Sequence, residues 1–189
     1  DAGQARRRHG YFTRFTALSR RVEKFERQAE TYPEDPRVKN NLASGYAEQG
    51  KMSRALELFE ETVALDPDYS RAHYGMGVAL SKLEQPEKAI AAFNKALEVE
   101  PEFLEALNAL GRAYHQASHY DSAAAIYREA VRLRPDLTPS RANLGLAYYA
   151  QQEYVKAIAE WDSLLVRESG HERARSWIKQ AREDLAGAQ

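Results

Sequence analysis

Cysteine is absent from the sequence. Its absence removes disulfide staples, thiolate metal sites and cysteine nucleophiles together, and leaves the redox compartment undetermined. Long hydrophobic runs are absent too. Even Ala123 to Tyr127 is short and bounded by Ser122 and Arg128, well below the roughly 18 to 20 continuous apolar residues that a bilayer-spanning helix needs. Nor is there an excess of either charge: 27 Lys and Arg face 28 Asp and Glu, a formal net charge of -1. No global field draws such a chain to nucleic acid or anionic lipid, so neither a nucleic-acid partner nor a membrane span is expected, and any partner has to be recognised locally.

What is present suits one ordered, soluble domain: 189 residues, 43% hydrophobic and 29% charged, enough to build a sizeable core. The first residue is Asp1, which reads as a processed or excised chain. The cytoplasm is the favoured compartment, with the periplasm or the exterior open if a signal peptide has been removed.

Self-similarity dominates the pattern. Alanines stand at Ala55, Ala89, Ala123 and Ala157, each 34 residues from the last. The same offset links Leu42, Met76, Leu110 and Leu144, then Ala43, Gly77, Gly111 and Gly145, then Phe59, Phe93, Tyr127 and Trp161. Prolines follow it at Pro33, Pro67, Pro101 and Pro135. Several columns in one register mark a repeat architecture.

Each unit reads as two helices. Val38, Leu42 and Tyr46 recur at helical spacing, and after Gly50 so do Leu56, Phe59 and Val63. Pro67, Pro101 and Pro135 end the second helix, because proline lacks a donor and biases its predecessor away from helix. Asp35-Pro36 and Thr138-Pro139 predict helix starts, a capping side chain before a first-turn proline. Glycine inside a helix costs about 1 kcal/mol against alanine. Its recurrence at Gly77, Gly111 and Gly145 therefore predicts a compensating gain, read as close approach of two helix backbones, as between Gly77 and Ala89.

These residues resemble the tetratricopeptide repeat family: Asn-Leu-Gly at 143 to 145, Tyr148, Ala157 and Trp161 follow its pattern. The resemblance covers four full units and implies an all-α fold, a right-handed α-α superhelical solenoid of stacked antiparallel helix pairs. The units are 36–69, 70–103, 104–137 and 138–171. A flexible basic segment at 1–10, containing Arg6-Arg7-Arg8, and an N-terminal packing helix at 11–35 precede them, and a capping helix at 172–189 follows. The packing helix carries the stripe Phe15, Leu18, Val22, Phe25 and Ala29, and the capping helix carries Ala174, Ile178, Ala181 and Leu185. Some positions depart from the pattern. Gly75 stands where Asn41 and Asn143 stand in other units, Leu80 replaces Tyr46, Ser169 replaces the terminal proline, and Leu164 stands where Thr62, Ala96 and Ala130 do.

The first helix of each unit leaves one face unpacked, and the family resemblance places those faces on a concave groove that takes a peptide or protein segment. In unit one the candidates are Arg37, Asn40, Asn41, Ser44 and Glu48. Unit two offers Arg71, Tyr74, Val78, Ser81 and Lys82, and unit three Glu105, Asn108, Arg112, His115 and Gln116. Unit four offers Ala142, Asn143, Leu146 and Tyr149, making its end of the groove apolar. The carboxylate clamp of related chaperone-tail receptors is missing, since Asn40, Ser44, Gly75, Glu105 and Ala109 occupy its positions.

No nucleophile with its base, paired acids or phosphate-cradling loop emerges. Gly75-Met76-Gly77 sits inside a helical unit and follows no strand. His115 and His119 have the i, i+4 spacing of a metal pair, but the helix is expected to end near Ser118, and no acid or sulfur ligand joins them before Asp121. The expectation is a non-enzymatic scaffold or adaptor without cofactor or metal. The alternatives are a self-associating assembly module stacked through its end helices, and a regulatory or targeting region of a larger enzyme.

Overall fold

Helix starts recur with the period seen in the sequence. The computed structural model describes the backbone of residues 2–188 and side chains from residue 16 onward. Among the described residues it holds ten helices and no strand. They are α1 (Ala2–Thr31), α2 (Pro36–Glu48), α3 (Met52–Leu65), α4 (Ser70–Lys82), α5 (Pro86–Val99), α6 (Leu104–Gln116), α7 (Tyr120–Leu133), α8 (Thr138–Ala150), α9 (Tyr154–Arg167) and α10 (Glu172–Gly187). The starts of α2, α4, α6, α8 and α10 lie 34 residues apart, as do those of α3, α5, α7 and α9.

Backbone chemistry sets the joints. After each first helix the residues Gly50, Glu84, Ser118 and Gln152 take positive φ, between 59 and 78°. The next amide then donates back to a last-turn carbonyl: Lys51 to Tyr46, Gln85 to Leu80, His119 to Tyr114 and Glu153 to Tyr148, at 2.9 to 3.0 Å. This reverse turn satisfies carbonyls that a helix end leaves orphaned. At the helix starts, Asp35 caps α2 as expected, accepting from the Arg37 amide at 2.9 Å. Thr138 does not cap α8. It is the first residue of that helix, and its hydroxyl donates to Glu168 instead.

The helices fall into two compact units, residues 1–85 and 86–189, a division that cuts the span 70–103. In the first unit α1 packs on α2, α2 on α3 and α3 on α4, around Val22, Leu42, Leu58 and Phe59. In the second each helix from α5 to α10 packs on the next, around Tyr127, Leu144, Trp161, Leu164 and Ile178. Leu164 is buried in the same cluster as Ala174, Ile178 and Ala181 of α10, a setting that the smaller residues of its column would fill less completely.

α1 reaches back to Ala2, so helix occupies the span read as a flexible segment. Alanine, glutamine and arginine are good helix formers, and no proline interrupts them. The side chains of Arg6, Arg7, Arg8 and Phe15 lie outside the described residues.

At Gly111 and Gly145 the glycine has a different physical reason from the one expected. A Cβ on Gly111 would meet the Tyr127 ring at 2.6 Å, and one on Gly145 would overlap the Trp161 indole. At these two positions the gain is an aromatic ring laid on bare helix backbone, with the ring and not a second backbone nearest. Gly75 follows the same logic from the other side, since a Cβ there would overlap the Phe59 ring; that contact accounts for glycine where units one and four have asparagine.

Candidate functional site

Positions on the outer face of the first helices recur at spacings of three and four, but the structure does not expose them equally. On α2, Arg37, Asn41 and Glu48 are exposed and Ser44 is half-buried, while Asn40 is buried. The Asn40 side-chain oxygen has no hydrogen-bond partner among the described residues. Intrachain partners hold two of these charges: Arg37 pairs with Asp35 at 2.8 Å, and Glu48 with Arg21 of α1. The α4 face keeps Arg71 and Lys82 exposed beside half-buried Tyr74, Val78 and Ser81. Neither Arg71 nor Lys82 has a carboxylate partner among the described residues.

In the second unit, α6 exposes Glu105, Arg112 and Gln116. Arg112 has no carboxylate partner either, and its charge acts on the Tyr127 hydroxyl, whose pKa burial pushes well above the usual tyrosine range. Asn108 is half-buried and committed to structure: its amide donates to the Leu104 carbonyl at 3.0 Å, and its oxygen accepts from Ser140 of α8 at 2.7 Å. On α8, Ala142 is buried, and its carbonyl accepts from Trp161 Nε1 at 3.1 Å. Asn143, Leu146 and Tyr149 are half-buried.

Tyr149 engages the chain's own C-terminal helix. Its hydroxyl donates to Asp184 of α10, and its ring meets Tyr154 at 5.5 Å and Trp161 at 6.1 Å. Asp184 also accepts from Gln180 at 2.9 Å. These bonds hold the Asp184 carboxyl below its usual pKa and push the Tyr149 hydroxyl up to about 12, because an anionic acceptor favours the neutral phenol. Gln180 and Asp184 did not enter the sequence reading. Carrying the 34-residue offset once more from Leu146 and Ala150 lands on them.

The chemistry elsewhere is dispersed. The His115 ring packs against Tyr120 at 5.1 Å and the His119 ring against Tyr114 at 6.2 Å, so two different aromatics hold the imidazoles. Among the described residues no group of three His, Cys, Asp or Glu could hold a metal ion. His73 Nε2 lies 2.8 Å from the Pro67 carbonyl, at the start of its helix. Ser118, His119, Asp121 and Ser122 line a hollow of about 360 Å³, yet no serine there is hydrogen-bonded to His119, and the Ser118 hydroxyl pairs with Tyr120. No helix among the described residues is long and apolar enough to cross a membrane.

Paired helices at a fixed offset, with exposed mixed side chains along the first helix of each pair, define a helical-hairpin repeat protein. Two models described as tetratricopeptide repeat match residues 36–102 and 74–138. The chain belongs to the tetratricopeptide repeat family. Its fold is similar to that of YrrB, a TPR protein with an unusual peptide-binding site, at TM-score 0.78 and 22% identity over 87% of this chain and 85% of that one. It is also similar to MamA from Desulfovibrio magneticus RS-1, at TM-score 0.76 and 20% identity over 90% and 96%. A thermophilic TPR protein of Thermus thermophilus, TTC0263, aligns at TM-score 0.66 and 23% identity over 89% and 94%. No curated protein matches by sequence.

Proposed function

We propose that the chain is a non-catalytic scaffold that holds polypeptide segments against the outer faces of its first helices. One observation carries this reading. Arg71, Lys82 and Arg112 stand exposed on those faces with no carboxylate partner among the described residues. Off those faces some exposed cations, such as Arg54, Lys95, Arg132 and Lys156, pair with a carboxylate three residues away, while others, such as Arg20 and Lys88, have no carboxylate partner among the described residues. What sets Arg71, Lys82 and Arg112 apart is that they stand along the first-helix faces. An unpaired, solvated charge keeps its full electrostatic potential for a partner and steers encounter with acidic groups. Helix-pair repeats provide broad surfaces without a converging pocket, which suits recognition of chain segments, and YrrB, similar in fold, carries a peptide-binding site.

The reading predicts that reversing Arg71 and Lys82 together, or Arg112 alone, to glutamate abolishes capture of protein partners from a lysate of the source cells while circular dichroism stays unchanged. Capture unaffected by all three reversals overturns it. Tyr149→Ala is a poorer test, since it also removes the contact with Asp184.

A further inference from the structure

Within residues 86–189 the outer faces of α6, α8 and α10 carry three different chemistries in spatial order. Hydrogen bonds establish that these helices are neighbours: Ser140 of α8 bonds Asn108 of α6, and Tyr149 of α8 bonds Asp184 of α10. At one repeat position the three helices present Arg112, Leu146 and Gln180; at another they present Gln116, Ala150 and Asp184. The α6 end is cationic, since Arg112 has no carboxylate partner among the described residues. The α8 strip is apolar, with Leu146, Ala150 and the Tyr149 ring all half-buried. At α10 the strip turns acidic: Asp184 takes only neutral donors, Tyr149 and Gln180, and no cation among the described residues. Glu183 beside it reaches Lys179 only at 3.9 Å.

The geometry points to a specific occupant for this face: an extended segment of a protein partner that carries an acidic residue at one end, an apolar residue in the middle and a basic residue at the other. This inference rests on the scaffold reading and adds the partner's charge order. A segment reaching from α6 to α10 has to cross α8, about 10–12 Å wide with its side chains, which a seven-residue extended segment of roughly 23 Å does with margin. A segment of uniform charge is disfavoured at one end, because like-charge juxtaposition costs more than a matched pair returns.

Four fluorescein-labelled seven-residue peptides test the order by fluorescence anisotropy on the full chain. Two carry Glu and Lys at opposite ends around a central Leu, one in each direction; the other two carry Glu or Lys at both ends. One of the two mixed peptides is expected to bind at least about tenfold tighter than either uniform peptide, with the preference weakening as salt rises. The charge-swapped variant Arg112→Glu with Asp184→Lys is expected to prefer the mixed peptide of opposite direction. Arg112→Glu with Glu183→Lys, which leaves the Tyr149 bond intact, is expected to shift the preference the same way. A uniform peptide binding best, or no reversal in either swapped protein, overturns the charge order. Partner capture that survives charge reversal on the first helices overturns the scaffold reading instead, so the two failures are separable.

Discussion

The indole of Trp161 occupies the space that a side chain on Gly145 would fill, and its Nε1 donates to the Ala142 carbonyl one turn earlier on the same helix. Ring and backbone thus lock α9 to α8 by contact and by a directed bond. Trp161 itself is fully buried.

Gly145→Ala is expected to destabilise the protein by about 1–3 kcal/mol through overpacking, because the hydrogen-bonded indole cannot step aside without losing its acceptor. Gly111→Leu should behave alike against Tyr127. Thermal melts check both; an unchanged midpoint contradicts the ring-on-backbone contact.

Three residues take the left-handed turn conformation without being glycine: Glu84, Ser118 and Gln152, with φ of 59, 61 and 62°. Gly50 fills the same role in the first pair. A side chain in that region costs roughly 1–2 kcal/mol, partly offset by the entropy glycine loses on folding. Replacing each by glycine should stabilise by about 0.5–1 kcal/mol, whereas Gly50→Ala should destabilise by a similar amount. Denaturant titrations of the single variants measure this.

Arg141 and Glu160 form a largely shielded ion pair at 2.8 Å, with side chains 15% and 24% exposed, and Arg141 Nε has no hydrogen-bond partner among the described residues. At the 34-residue offset, unit three has Leu107 and Ile126. Arg141→Leu alone leaves Glu160 half-buried without its cation and should cost about 1–3 kcal/mol, as Glu160→Ile should for the reverse reason. The double replacement should be neutral or stabilising, because it puts the apolar residues that unit three carries at these two positions in place of the ion pair. A double variant as unstable as the worse single one contradicts the account.

Tyr149 carries a pKa raised to about 12 by its bond to Asp184. The folded state binds this proton more tightly than the unfolded chain, whose tyrosine titrates near 10. The associated stability is therefore fully present below pH 10 and is lost between about pH 10 and 12. Tyr149→Phe should lose less stability than the wild type across that alkaline window. Identical slopes for the two proteins contradict the bond.

Much of the architecture was legible because a period is a one-dimensional signal. Spacings of three and four placed Leu42, Leu110 and Leu144 on buried faces, and Asp35-Pro36 set the start of α2. Thr138 misled, because an identical capping pattern says nothing of Glu168 thirty residues away, which takes its hydroxyl. The outer face of the first helices was legible as a set of positions, yet Asn40 and Ala142 are buried. Helix period assigns direction, but not how far a neighbouring helix covers it.

The amino-acid order alone determined that the chain is built from helix pairs of constant length, since proline, glycine and apolar spacing act within a few residues of themselves. Only the tertiary structure decided what each small residue makes room for, which charges remain unpaired, and that Tyr149 reaches Asp184. Those outcomes depend on side chains from different helices meeting in space, and that meeting leaves no local trace in the sequence.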